Sequence, residues 1–179
     1  MKEISLHILD IVQNSIAAGA SLIGVEILES TKKDEFTVKI TDNGKGMSKE
    51  LVKKVIDPFT TSRTTRKVGL GIPLFKAAAE LTGGSFEISS EVGKGTIVTA
   101  VFVRSSIDRQ PLGDIAGTML GLFTSYESID FLYKHSIDQK VFETDTRELK
   151  KILGGVSLLE PEVYLWLSDY LKEGEKELN

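Results

Sequence analysis

The chain has 179 residues, enough for one substantial hydrophobic core and a smaller appended unit. Hydrophobic residues make up 41% and charged residues 27%, with a net charge of -4, which fits a folded globular chain and argues against a nucleic-acid-binding surface. Cysteine is absent, which excludes disulfides, thiolate nucleophiles and cysteine zinc sites.

The start, "MKEISLHILDIVQ", has mixed charge and no small-residue cleavage site, and nowhere do eighteen apolar residues run together. A cytoplasmic protein with no membrane contact is expected. Ile4, Ile8, Ile11, Val12 and Ile16 recur at helical spacing and predict a helix from Ile4 to about Ala18, stopped by Gly19. "LIGVEIL" and "FTVKIT" predict a hairpin about the polar turn "ESTKKDE". "NGKGM" then leads into a helix, "SKELVKKVID", with Ser48 as N-cap, ended by Pro58. A basic, threonine-rich loop, "FTTSRTTRKVG", precedes a helix from Ile72 to Leu81, and the strands "SFEISSE" and "TIVTAVFV" flank the turn "VGKG".

The composition shifts at "RSSIDRQPLGD" near residue 105. Beyond it the pattern predicts a helix around Ile115 to Phe123, the strands "IDFLYKH" and "KVFETD", a short helix headed by Asp145 and Glu148, and a last helix from Pro161 stopping at Gly174. Trp166 and Tyr170 on that helix are expected in the core, His135 at the surface, and "KEGEKELN" as a frayed end. The expected fold is a two-layer α/β (α+β) sandwich with a mixed or antiparallel sheet over residues 1–104, followed by a small α/β extension over 105–179.

Three stretches carry chemistry. "GLGIPLF" opens a helix as a phosphate site would, yet it lacks the lysine and hydroxyl of a Walker loop and the third glycine of a dinucleotide fingerprint. Turn chemistry alone also explains it. On the first helix Glu3, His7, Asp10 and Asn14 share one face, which is either a solvated stripe or a functional one with Asn14 as a magnesium ligand and Asp10 holding a water. Asp42 ends a strand before two glycines, either as a turn residue or as an acceptor for an exocyclic amine.

Taken together, "LDIVQNSIAAGA", "TDNGKGM", "DPFTTSRTTRKVGLGIPLFKAAAELTGG" and "SSEVGKGTIVTAVF" resemble the GHKL ATPases, the gyrase, heat-shock chaperone, histidine kinase and mismatch-repair ATP-binding domains. The resemblance is strongest to the ATP-binding catalytic domains of sensor histidine kinases and covers about residues 1–104. It implies ATP and Mg2+ as ligands. Asn14 would ligate the metal, Asp42 would hydrogen-bond the adenine amine, and Gly44, Gly46 and Met47 would shape the adenine pocket. Gly69, Leu70 and Gly71 would approach the phosphates, Thr96 would lie near the adenine side, and Arg63, Arg66 and Lys67 are lid cations within reach of phosphate.

Asp10 stands where gyrase-like members carry glutamate, one methylene longer. With the first helix at the start of the sequence, no dimerisation segment with a phosphoacceptor histidine is expected ahead of it, and His7 is expected to be structural. The resemblance therefore implies a stand-alone kinase acting in trans on a protein partner, an ATPase switch driven by lid closure, or a nucleotide sensor.

Overall fold

Ile4, Ile8, Ile11 and Val12 lie on one side of α1 (Ile4–Ala17) and are buried against the sheet. The first amides of α1 have no side-chain cap; Ile4 N and Ser5 N donate instead to the carbonyls of Pro111 and Leu112, at 2.9 Å each. The segment after residue 105 thus closes the first helix. The structure, a computed structural model, describes residues 2–57 and 70–179.

The strands β1 (Leu22–Ser30) and β2 (Glu35–Asp42) form the expected antiparallel hairpin, in register from Ile23 opposite Asp42 to Ser30 opposite Glu35. Ile23, Val25 and Ile27 alternate with half-buried or exposed neighbours, the pattern of a sheet with one covered face. Helix α2 (Lys49–Ile56) starts as predicted, the Ser48 hydroxyl accepting from Leu51 N at 3.2 Å. Next come α3 (Gly71–Leu81), β3 (Ser85–Glu91) and β4 (Gly95–Val103), with β4 antiparallel to both β3 and β2.

The remaining elements are α4 (Ile115–Ser125), β5 (Asp130–Ile137), β6 (Lys140–Asp145), α5 (Thr146–Leu153) and α6 (Pro161–Leu178). Asp145 caps α5 by accepting from Arg147 N, and Gly154 ends it in the left-handed conformation, φ 57°. The six strands form one mixed sheet in the order β3-β4-β2-β1-β5-β6, in which β5 runs parallel to β1. The result is the mixed α/β fold that the sequence pattern implies, with helices α2, α3, α1, α4 and α6 in contact as neighbours in that order. One hydrophobic cluster joins Phe75 and Phe102 of the first part to Phe123, Phe131 and Leu167 of the second.

Four expectations for the second part are corrected. Helix α6 continues through Gly174 to Leu178, so "KEGEKELN" is helical. Gly174 is a packing position: a Cβ there would meet the Phe142 ring at 2.3 Å. Trp166 is 51% exposed and stacks on Tyr170 instead of entering the core. His135 is buried, at 2% exposure, between Glu29 of β1 and Glu175 of α6. Strand alternation places it inside, and only a charged partner makes that position tolerable.

Candidate functional site

Asp42 is the last residue of β2, and its carboxylate is fixed from two sides. Ser15 Oγ on α1 donates to Oδ2 at 2.6 Å, and Gly44 N donates to Oδ1 at 2.8 Å. Each oxygen keeps a free lone-pair direction. Ser15 thus pins α1 to the end of β2 one residue after Asn14 in that helix.

The loop after Asp42 is shaped by close backbone approaches. A Cβ at Gly44 would sit 2.9 Å from Ala18, and one at Gly46, where φ is +70°, would sit 2.0 Å from the Glu91 carbonyl. Lys45 N donates to Ala18 O at 2.9 Å and Gly93 N to Lys45 O at 2.7 Å, which ties the loop to both α1 and the β3–β4 turn. Met47 N donates to Ser90 Oγ at 2.8 Å, and Ser90 Oγ lies 2.8 Å from Thr96 Oγ1. Thr96 is the register partner of Asp42 across β2 and β4.

On α1, Asp10 and Asn14 are both half-buried. Asn14 Nδ2 is buried without a hydrogen-bond partner among the described residues. The start of α3 lies beside Asp10: a Cβ on Gly71 would come within 3.2 Å of Asp10 Cβ. Leu70, at the N-cap position of α3, provides no side-chain cap and is exposed. The helix start, with the amides of Gly71 and Ile72 ahead of Pro73, thus lies next to Asp10.

His7, one turn earlier, is buried, stacked 5.2 Å from Phe75, with Nε2 3.0 Å from Gln110 Oε1. Burial pushes its pKa below the ordinary value, against the opposing hydrogen bond that Nε2 donates to Gln110, so it is a neutral packing residue at pH 7. Glu3 lies at the far end of the helix, near Gly113.

Of the residues singled out in the sequence, Asp10, Asn14, Asp42, Gly44, Gly46, Met47, Leu70, Gly71 and Thr96 are drawn together around the end of β2, the loop after it and the start of α3. Arg63, Arg66, Lys67 and Gly69 lie outside the described residues. Sequence reasoning missed Ser15, Ser90 and Gly95. Gly95 carried a signal in "VGKG": its φ is +117°, and a Cβ there would lie 2.0 Å from the Asp42 carbonyl. Ser15 gave none, because a serine on an amphipathic helix has no signature until its partner is known.

Residues 2–106 match the family described as histidine kinase-, DNA gyrase B-, and HSP90-like ATPase. The chain belongs to this family. Among curated relatives, this ATPase-family chain is 42% identical over 62 residues to sporulation kinase D of Bacillus subtilis, covering 35% of the chain and 12% of that kinase. It is 32% identical over 80 residues to sensor histidine kinase YvrG of the same organism, covering 42% of the chain and 14% of the relative. The chain therefore corresponds to a small part of each kinase. Among solved structures it resembles the Aquifex aeolicus MutL ATPase domain complexed with ADP, with a TM-score of 0.54 and 14% identity over 86% of this chain and 70% of that one. At that identity the likeness is one of fold.

Proposed function

We propose that this chain binds ATP with magnesium at the Asp42 site and transfers the γ-phosphate to a separate protein. The observation that carries the reading is the pre-set Asp42 carboxylate, held by Ser15 and Gly44 with lone pairs left to accept from an amine. An adenine ring brings such an amine, and the glycines at 44 and 46 let the loop close against Ala18 and Glu91 beside that carboxylate. The side-chain amide of Asn14, whose Nδ2 lacks a partner, fits an oxygen donor to a metal, since the assignment of oxygen and nitrogen in an amide follows its partners.

Bound Mg2+ would draw charge from the phosphate oxygens, and one protein oxygen together with phosphates and water is a usual magnesium environment. Asp10, beside the helix start where phosphates would lie, orients the acceptor group and takes up its proton. The new bond joins the acceptor to the γ-phosphorus as the bridge to the β-phosphate breaks, leaving ADP. His7 is excluded as acceptor by its burial, stacked on Phe75 and with Nε2 on Gln110. The similarity to histidine kinases supports transfer over simple hydrolysis.

Calorimetric titration with ATP and ADP, with and without Mg2+, tests the site. Wild-type protein is expected to bind ATP more tightly with the metal. Asp42→Asn should weaken binding about 10- to 100-fold, the loss expected for a hydrogen bond to a charged group, and Asn14→Ala should remove the magnesium dependence. Unchanged affinity in both folded variants would defeat the assignment. With a partner and radiolabelled ATP, label on the partner supports the kinase, phosphate release alone supports a switch, and neither supports a sensor.

A further inference from the structure

At the end of the sheet away from Asp42, residues from the segment 104–116, from β1 and β5 and from the last turns of α6 line a cavity of about 500 Å³. Glu29, one of its lining residues, lies six positions along β1 from Ile23, the register partner of Asp42, which at about 3.3 Å per residue is about 20 Å. That volume lies within the range of small-molecule sites. Among the described residues of the proposed nucleotide site, none lines it.

The charges around it do not balance. Three carboxylates line the cavity, Glu29, Asp114 and Glu175, against five cations, Arg104, Arg109, His135, Lys172 and Lys176. Glu29 accepts from Arg104 Nε at 3.0 Å and faces His135 Nε2 at 3.0 Å, while Glu175 faces His135 Nδ1 at 2.7 Å. Both ring nitrogens meet carboxylates, which only accept, so both carry protons and His135 is a cation. These four groups neutralise one another. Asp114 accepts from Gly117 N at 2.9 Å as the cap of α4, which leaves Arg109, Lys172 and Lys176 facing one carboxylate. Glu3 abuts Gly113 without lining the cavity, and counting it still leaves an excess of positive charge.

Arg109 says what would fit. It is half-buried, its Nε donates to Arg104 O at 2.7 Å and its Nη1 to Gln110 O at 3.3 Å, and its guanidinium lies 5.0 Å from the centre of the Phe36 ring. These contacts fix the plane of the group, yet no carboxylate pairs with it among the described residues. A half-buried guanidinium without an anion is uncommon, because taking the charge out of water needs a partner. Nη2 and one Nη1 hydrogen remain for two parallel bonds to a single oxyanion, the geometry in which arginine grips carboxylate or phosphate. Lys172 and Lys176, one turn apart on α6, have no ion pair among the described residues and add two point charges to the same cavity.

We propose that this cavity is a second binding site, for a small organic dianion of the phosphate-monoester or dicarboxylate class, with one oxyanion on Arg109 and the remaining charge matched by Lys172 and Lys176. The site does not depend on the nucleotide reading. The probes are phenyl phosphate and succinate, with benzyl alcohol as the neutral comparison. Each is titrated at fixed salt into 15N-labelled full-length protein and followed by amide chemical shifts.

Saturable shifts centred on Arg109, Ile115 and Lys176 are expected for at least one dianion, the tighter of the two naming the class, with at least tenfold weaker binding of the alcohol. Arg109→Gln keeps hydrogen-bond donors but removes the charge and the fork, and is expected to weaken the dianion at least tenfold. Lys172→Gln combined with Lys176→Gln changes two exposed helix positions and serves if the first variant fails to fold; it should weaken the dianion at least threefold. Absence of saturable shifts in wild type, shifts centred instead on Gly44 and Gly71 of the nucleotide site, equal binding of the alcohol, or unchanged affinity in a folded variant would overturn the proposal.

Discussion

Ser15 shows how much of the site depends on one side chain that contacts no ligand. Its hydroxyl is buried and donates to Asp42 over 2.6 Å, so the carboxylate is oriented before anything binds. Ser15→Ala leaves α1 intact, because alanine is the best helix former, but removes that orientation. The expected result is a loss of about 1.5–3 kcal/mol in folding stability, the range for a hydrogen bond to a charged group, seen by urea denaturation. ATP affinity should fall about tenfold in calorimetry, a preorganisation cost. Equal affinity would mean that Gly44 N alone fixes Asp42. The residues legible in the sequence were those whose type is restrictive by itself: Asp42 before its glycines, Asn14 on a polar stripe, Gly71 at a helix start. Ser15 and Ser90 are defined by partners 27 residues away and by a hydroxyl across a turn. No local pattern encodes either pairing.

Between elements, the strongest polar link is the group around His135. Its Nε2 lies 3.0 Å from Glu29 Oε1 and its Nδ1 2.7 Å from Glu175 Oε2, and Arg104 Nε donates to Glu29 at 3.0 Å. The Tyr133 hydroxyl donates to Glu175 at 2.5 Å, its pKa pushed far above the ordinary value by burial and by that carboxylate. β1, β5, the end of β4 and α6 meet here. Burial opposes the charge on His135, but the two carboxylates raise its pKa from 6.5 to about 9. A group with a raised folded-state pKa contributes its stability below the unfolded value and loses it as pH rises through the folded value. Stability should therefore fall between pH 6.5 and about 9, by about 3 kcal/mol at one pKa unit per 1.36 kcal/mol. Chemical denaturation across that range checks it. His135→Gln should abolish the slope and cost about 3–5 kcal/mol at pH 6.5, because Glu175 loses its counter-charge and Glu29 keeps only Arg104; an unchanged slope would assign it to another group. The sequence could not show this cluster, since His135 beside a polar turn looks exposed until a helix 40 residues later covers it.

At the scale of the whole molecule, the question is whether residues 105–179 form a unit that can be removed. Composition shifts near residue 105 and the family match ends at 106, yet the sheet continues across that boundary with β5 hydrogen-bonded in parallel to β1. Alternation and helical period made the individual elements legible on both sides of the boundary. Which strand lies beside which is a long-range choice, and nothing in the local pattern of "IDFLYKH" says that its neighbour is "LIGVEIL". Cutting at 106 would uncover the edge of β1, strip Phe123, Phe131, Leu167 and Leu171 from the shared core, and free the α1 amides now held by Pro111 and Leu112. Each large apolar side chain lost from a core costs about 2–5 kcal/mol, and a domain of this size has only about 5–15 kcal/mol in total. Residues 1–106 alone should therefore lack a cooperative thermal transition by circular dichroism and expose hydrophobic surface to dye, whereas the full chain melts as one unit. A sharp melt of the short form within a few degrees of the full chain would show that the first unit is self-sufficient and that the extension adds only to its surface.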